Sequence, residues 1–330
     1  MADITHEPIN KIAVFRALRL GDVLVAIPAL RALRAAFPRA HIDYIGLPMT
    51  RELVQRYTSY IDGYIDFPGY PPLPQQEADP ARVVEFLQRM QAGTYDLAIQ
   101  MHGNGSSTNA LVALFGARRT AGYAIPEGYW PNRQWFMAHP EGQPEILQHL
   151  ALMEFLGIKN QGEKLEFPMS DEDQRRLKAL FNPQSQPYAC IHPGAFSNAR
   201  WPAEQFSVVA DRLAETGLTI VLTGSEQERG LTGQVAAGMK SDAIDLAGKT
   251  DLGTLAALLR HSRLLVSNDT GVAHMAVATD TPSVTIFTTA DPAVWAALDQ
   301  QRHPYLTLDW ATPTTVLNKA TELLKGAHHE

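Results

Sequence analysis

Leu264–Phe287 reads LLVSNDTGVAHMAVATDTPSVTIF, and the order of its parts decides the fold. An apolar run of strand length, Leu264–Ser267, enters the turn Asn268-Asp269-Thr270-Gly271. A helix-length stretch, Gly271–Ala278, follows, and a second apolar run, Ser283–Phe287, closes the unit. Strand, helix and strand in such close succession are the signature of a parallel sheet. A strand that runs into a helix start leaves unpaired backbone N–H groups and the positive end of the helix dipole aimed at one point. At the carboxyl end of a parallel strand that point is a ready phosphate site. Gly271 lets the backbone approach a phosphate closely, and His274, one turn in, can face the same point. The same letters also describe ordinary capping by Asp269 or Thr270, with His274 turned to the core.

The pattern repeats on either side. In the C-terminal half, strands are expected at Tyr188–His192, Leu218–Thr223, Ala243–Leu246, Leu264–Ser267 and Ser283–Phe287. Helices are expected at Ala203–Glu215, Glu226–Met239, Leu252–Arg260, Gly271–Ala278 and Pro292–Leu298. In the N-terminal half, Lys11–Ala17 reads as a strand, Leu20-Gly21-Asp22 as a turn, and Val23–Phe37 as a helix that Pro38 closes. Strands at His41–Leu47 and Tyr95–Met101 and a helix at Thr108–Phe115 follow. Leu24, Ile27, Leu30 and Leu33 recur every three residues, as a helix face packed on a sheet requires. The polar stretch Gly157–Pro187 is the natural linker, with a helix at Asp171–Phe181, so the expected domains are residues 1–170 and 171–330. Two stretches read as irregular: Gly63–Pro80, too proline-rich for a helix or central strand, and Ala121–Gln143, whose Tyr123, Tyr129, Trp130, Trp135 and Phe136 either stack on sugar rings or pin the loop to its own domain.

Two further turns lie at strand ends. His192–Pro202, HPGAFSNARWP, is a Gly/Ser loop ending in Arg200, whose guanidinium suits phosphate geometry. Thr223–Arg229, TGSEQER, offers a carboxylate to ribose hydroxyls or simply an acid in a first helical turn. In the first half, Asp22 at a helix start is a candidate general base or a cap. No G-x-G-x-x-G occurs, which disfavours a dehydrogenase. Asp171-Glu172-Asp173 fits the D-x-D spacing of metal-diphosphate sites, but its position before a helix favours capping, and no metal ligands are expected.

Bulk properties bound the function. The 330 residues are 45% hydrophobic and 19% charged, the balance of a globular chain long enough for two cores. A net charge of −7 disfavours nucleic acid as a partner. Arg16, Arg19, Arg31, Arg34 and Arg39 form a basic cluster, read either as a solvated helix face or as a surface that approaches anionic lipid headgroups. Cys190 is the single cysteine, expected in a buried strand and excluding an intrachain disulfide. With no apolar segment of signal-peptide or spanning length, a cytoplasmic protein is expected, touching the inner membrane at most peripherally.

Arg19–Leu30 (RLGDVLVAIPAL), His192–Phe206 (HPGAFSNARWPAEQF), Val221–Arg229 (VLTGSEQER) and Leu246–Phe287 together resemble glycosyltransferase family 9, whose best-known members are ADP-heptose:lipopolysaccharide heptosyltransferases. The resemblance runs in order from about Lys11 to Phe287. It implies an α/β GT-B fold, two Rossmann-like doubly wound domains facing a cleft, with the acceptor on the first and a nucleotide-sugar donor on the second, and no cofactor or catalytic metal. It maps the base onto Asp22 and donor phosphate and ribose contacts onto Asp269, Thr270, Gly271 and His274. The HPG loop maps onto Gly194, Ala195 and Ser197, the third-turn glutamate onto Glu228, and a residue beside the adenine onto Thr250. Relatives usually carry a lysine just before the tryptophan of this loop; here Ala199 stands at that place and Arg200 follows. Either Arg200 takes over neutralisation of the leaving diphosphate, or transfer is lost and a nucleotide-sugar binder remains. An epimerase or hydrolase on the same frame is the third alternative. The implied reaction is an inverting transfer of heptose from ADP-heptose to a lipopolysaccharide-core or other saccharide acceptor.

Overall fold

The computed structural model describes residues 3–195 and 199–326. The chain divides into two compact units, Met1–Lys164 and Leu165–Glu330, parting inside the polar stretch expected to link them, a few residues ahead of the expected boundary.

The first unit runs β1 (Lys11–Phe15), α1 (Leu20–Ala36), β2 (His41–Gly46), α2 (Arg51–Val54), β3 (Gly63–Asp66), α3 (Pro80–Ala92), β4 (Leu97–Gln100), α4 (Thr108–Ala113), β5 (Arg119–Ala124), β6 (Phe136–Ala138) and α5 (Glu145–Phe155). All strands are parallel, in the order β3-β2-β1-β4-β5-β6. One face of the sheet buries Ala13, Phe15, Ile45, Ile65 and Ala98 against Phe86 and Met90 of α3 and Leu111 and Val112 of α4. Helices α3 and α4 cover this apolar sheet surface, and such burial is the main stabilising term.

Several expectations need correcting. Leu20-Gly21-Asp22 is not a turn but the first turn of α1, because Asp22 closes a capping box with Arg19: its Oδ2 accepts the Arg19 N–H at 3.1 Å. The proline-rich stretch begins with a strand, β3, at the sheet edge where proline nearby does no harm. Gly63 is required there: a Cβ would lie 1.9 Å from Asp43 Oδ1. The stretch Ala121–Gln143 holds most of β5 and all of β6, and Tyr123, Trp135 and Phe136 are buried while Tyr129 is exposed. Helices α3 and α5 were not foreseen. Three members of the arginine cluster are engaged within the unit. Arg16 is fully buried, Arg31 donates to the carbonyls of Gly162 and Lys164, and Arg34 pairs with Asp62 and donates to the Ala40 and Tyr60 carbonyls.

The second unit runs α6 (Asp171–Leu180), β7 (Tyr188–His192), α7 (Ala203–Ala214), β8 (Thr219–Leu222), α8 (Arg229–Gly238, after a 3-10 turn at Glu226–Glu228), β9 (Ala243–Asp245), α9 (Leu252–His261), β10 (Leu264–Asn268), α10 (Gly271–Ala278), β11 (Ser283–Phe287), α11 (Pro292–Trp295), β12 (Tyr305–Thr307) and α12 (Pro313–Gly326). Its strands are parallel in the order β12-β11-β10-β7-β8-β9, which counted within the unit is the same 3-2-1-4-5-6 pattern as the first. Both units are therefore doubly wound Rossmann-like sheets, whose strand order reverses beside the first strand. Ala189, Ile191, Ile220, Leu222, Val266 and Ile286 pack against Phe206, Val209 and Val235 in one core. Cys190 is buried, and burial pushes its thiol up to about 12. Ser170 and Asp173 form a capping box at the start of α6, the capping role expected for that acidic run.

Candidate functional site

In the second unit the strand order reverses between β7 and β10, which pair directly through Leu264↔Ala189 to Ser267↔His192. A crevice outside the carboxyl ends of such strands is where doubly wound sheets bind ligands. Asn268, the last residue of β10 and fully buried, ties the two strand ends together. Its Nδ2 donates to the Pro193 carbonyl at 2.8 Å and to the Gly194 carbonyl at 3.3 Å, and its Oδ1 accepts the Trp201 N–H at 3.1 Å. The loop that begins at Pro193 and ends at Trp201 is thus held at both ends by one amide. Trp201 is itself anchored, its indole N–H donating to the Ala311 carbonyl at 2.9 Å.

Four of the expected residues meet on this loop. A Cβ on Gly194 would lie 2.2 Å from Glu228 Oε1, so the glycine exists to let that carboxylate against the backbone. Glu228 Oε2 accepts the Ser225 N–H and hydroxyl at 2.7 and 2.8 Å. Burial opposes its ionisation, but the Ser225 N–H, the neighbouring His192, the Ser225 hydroxyl and the Arg200 guanidinium outweigh it and hold the carboxyl below its usual range. His192 is buried with Nδ1 3.1 Å from Thr223 Oγ1, and burial pushes it down despite Glu228. Arg200 donates to the Ala195 carbonyl at 3.2 Å, while its Nε is buried with no hydrogen-bond partner among the described residues. A buried guanidinium N–H lacking an acceptor is poised for an anion. Ser197 lies outside the described residues.

Thr270 is the N-cap of α10 with extended backbone and no side-chain cap, and Gly271 is the first helical residue; the Ala273 N–H donates to the Thr270 carbonyl at 2.9 Å, and the Thr270 side chain leaves the Gly271 and Val272 amides uncapped. His274 sits one turn in, its ring 6.1 Å from Trp295 on α11. The Asp269 carboxylate points elsewhere. Its Oδ1 accepts the N–H and hydroxyl of Thr288 at 3.0 and 2.9 Å, and Oδ2 accepts the Ala290 N–H at 3.3 Å. Asp269 therefore secures the loop between β11 and α11. Thr250 is half-buried just before α9; the Gly248 N–H donates to the Gly224 carbonyl at 2.9 Å, which draws its loop toward the β8 turn.

In the first unit, the reversal between β1 and β4 holds Asp22. Beside it lies Arg16, with Nε 2.7 Å from the Asp22 carbonyl and Nη2 3.6 Å from Asp22 Oδ1 and 3.0 Å from Glu145 Oε1. Burial opposes the guanidinium charge, but Glu145 and Asp22 outweigh it. Burial likewise opposes ionisation of Glu145, while His149 and Arg16 hold its carboxyl far below the usual range. His149 Nε2 stands 3.4 Å from Glu145 Oε1 without hydrogen-bond geometry, and Nδ1 is 3.1 Å from Tyr123 Oη. Arg16, Glu145, His149 and Asn268 were not singled out in the sequence as site residues. A charged residue closing the apolar run KIAVF was the available signal for Arg16; nothing local marks Glu145.

Two doubly wound units, each with its strand order reversing beside its first strand, are the architecture of the GT-B class. The profile of glycosyltransferase family 9 (heptosyltransferase) matches residues 83–325, and the chain belongs to that family. It is 32% identical over 323 residues to lipooligosaccharide heptosyltransferase 2 of Haemophilus ducreyi, covering 88% of this chain and 87% of the relative. Among solved structures it matches a family 9 glycosyl transferase of Veillonella parvula with TM-score 0.81, 22% identity and coverage of 96% and 98%. It matches E. coli ADP-heptose lps heptosyltransferase II with TM-score 0.78, 22% identity and coverage of 96% and 99%. These likenesses establish the GT-B fold and, with the family, a glycosyltransferase. Among the described residues no helix is long and apolar enough to cross a membrane.

Proposed function

We propose that the chain is an inverting heptosyltransferase that moves heptose from ADP-heptose to a saccharide acceptor of the lipopolysaccharide core, with no catalytic metal. The observation that carries this reading is the joined turn of the second unit: Asn268 clamps the Gly194 loop beside Glu228, Arg200 carries a buried N–H with no acceptor among the described residues, and α10 begins alongside. The family, and relatives named for heptose transfer, support the choice of sugar.

In this mechanism the donor diphosphate lies against the Thr270-Gly271 helix start and Arg200, and Glu228 accepts from ribose hydroxyls. Asp22 takes the proton of an acceptor hydroxyl as its oxygen attacks the anomeric carbon. The bond from that carbon to the diphosphate oxygen breaks with its electron pair, and ADP leaves with the added negative charge. Arg200 and the helix amides stabilise the charge as it grows, which is where such donors lower a barrier. Asp269 acts indirectly, by fixing the loop that carries Trp295 against His274.

The test is ADP release from ADP-heptose with and without a truncated lipopolysaccharide-core acceptor. Release that depends on acceptor is the expected result. Release without acceptor would point to a hydrolase, and binding with no release under either condition would mean a nucleotide-sugar binder; both overturn the proposal.

A further inference from the structure

Behind Asp22 lies a buried charged group that the chemistry above does not use. Arg16, just after β1, reaches three other segments: its guanidinium meets the carbonyl and carboxylate of Asp22 in α1, the Met101 carbonyl after β4 at 2.5 Å, and Glu145 at the start of α5. Burying such an ion pair costs several kcal/mol per ion that an apolar filling avoids, so packing alone does not explain it.

The distances show how its charge is shared. Asp22 Oδ2 is occupied by the Arg19 N–H at 3.1 Å. Oδ1 stands 3.6 Å from Arg16 Nη2, too far for a direct hydrogen bond, while the same Nη2 donates to Glu145 Oε1 at 3.0 Å. Glu145 therefore competes for the one guanidinium nitrogen that would otherwise close on Asp22. We propose that Glu145 is a positioning residue: by holding Arg16 Nη2 it keeps Asp22 Oδ1 open to receive the acceptor proton, while Arg16 Nε on the Asp22 carbonyl keeps the first turn of α1 in place. This inference rests on Asp22 being the base. Without Glu145 the guanidinium swings onto Oδ1 and forms a direct ion pair, and the oxygen that should take the proton is occupied.

The experiment is a steady-state comparison of wild type, Glu145→Gln, Glu145→Asp and Asp22→Asn, and of each Glu145 change combined with Asp22→Asn, with melting temperatures recorded alongside. Glu145→Gln is expected to lower kcat about tenfold or more, with KM for ADP-heptose unchanged. Glu145→Asp, which keeps the charge, is expected to recover part of the loss. In the Asp22→Asn background neither change should lower kcat further, whereas general loosening would lower it by the same factor. Should Glu145→Gln not fold, Arg16→Lys and Glu145→Asp carry the same comparison. Wild-type kcat in Glu145→Gln, or an equal loss with and without Asp22, overturns the inference while leaving Asp22 as base. An Asp22→Asn enzyme that turns over like wild type overturns the base assignment and this inference with it.

Discussion

Gly194 and Glu228 show how a single side chain at the site depends on the absence of another. The carboxylate occupies the space a Cβ would take, 2.2 Å from its Oε1. Gly194→Ala should therefore displace Glu228 from Ser225 rather than shift the buried strand end. Weakening of ADP-heptose binding by about tenfold, or ~1.4 kcal/mol, with a small change in melting temperature, is the expected outcome by calorimetry and thermal denaturation. His102 makes a different point. Its Nδ1 accepts the Ala17 N–H at 3.2 Å and its ring stacks on Phe15 with centroids 5.2 Å apart. Burial, with the nearby Arg16 adding to it, pushes the imidazole down to about 3. A free imidazole titrates near 6.5, so as pH falls from there toward 3 the unfolded chain takes a proton that the folded one refuses. Stability is fully present above that range and declines by up to ~1.4 kcal/mol per pH unit within it. Urea denaturation between pH 7 and 5 should show a falling midpoint, with a shallower slope in His102→Asn. Glu145, also depressed, adds its own loss only below the ordinary carboxylate range, so this window separates the two.

At the level of elements, the second site is an assembly of loops stapled by side chains from strand ends. Asn268 holds the β7–α7 loop at both ends, and Asp269 holds the loop after β11. Two adjacent residues, the last of β10 and the one that follows it, thus commit to two different loops. Asn268→Ala leaves buried carbonyls at Pro193 and Gly194 without that donor, a cost of ~1–3 kcal/mol; weaker donor binding and a lower melting temperature together are expected. Asp269→Ala should instead raise hydrogen exchange across residues 288–295 while leaving exchange at the β7–α7 loop unchanged. Equal exchange changes at both loops would contradict the separate roles.

For the molecule as a whole, the proposed base belongs to the first unit and the proposed donor contacts to the second, so binding and turnover should separate by mutation. Asp22→Asn is expected to lower kcat by about 10²–10⁴ with the dissociation constant for ADP-heptose unchanged, read by stopped assays and calorimetry. Arg200→Ala is expected to weaken ADP binding as well as turnover. If Asp22→Asn weakened donor binding and Arg200→Ala did not, the division of labour would be reversed. The shared strand order of the two units explains why the proposed residues of each lie at the carboxyl end beside its first strand: reversal of the crossover direction opens a crevice there.

Much of this was written in local sequence. The runs Tyr188–His192, Gly271–Ala278 and Ser283–Phe287 coincide with β7, α10 and β11, because buried parallel strands are continuous apolar runs and the turn between two of them leaves room for one short helix. The turns at Gly194 and Thr270 were legible as breaks between such runs, and so was the family. Tertiary structure decided the rest. β3, β5 and β6 lie in stretches broken by proline and glycine, where local propensity opposes a strand and only pairing with a neighbour makes one. The fate of the arginines was equally invisible: a guanidinium that is solvated in one fold is buried in another once a carboxylate far along the chain, here Glu145 for Arg16, comes beside it. Periodicity and capping act within a few residues, so sequence specifies elements and turns. Charge burial depends on partners more than a hundred residues away, which only the folded chain brings into contact.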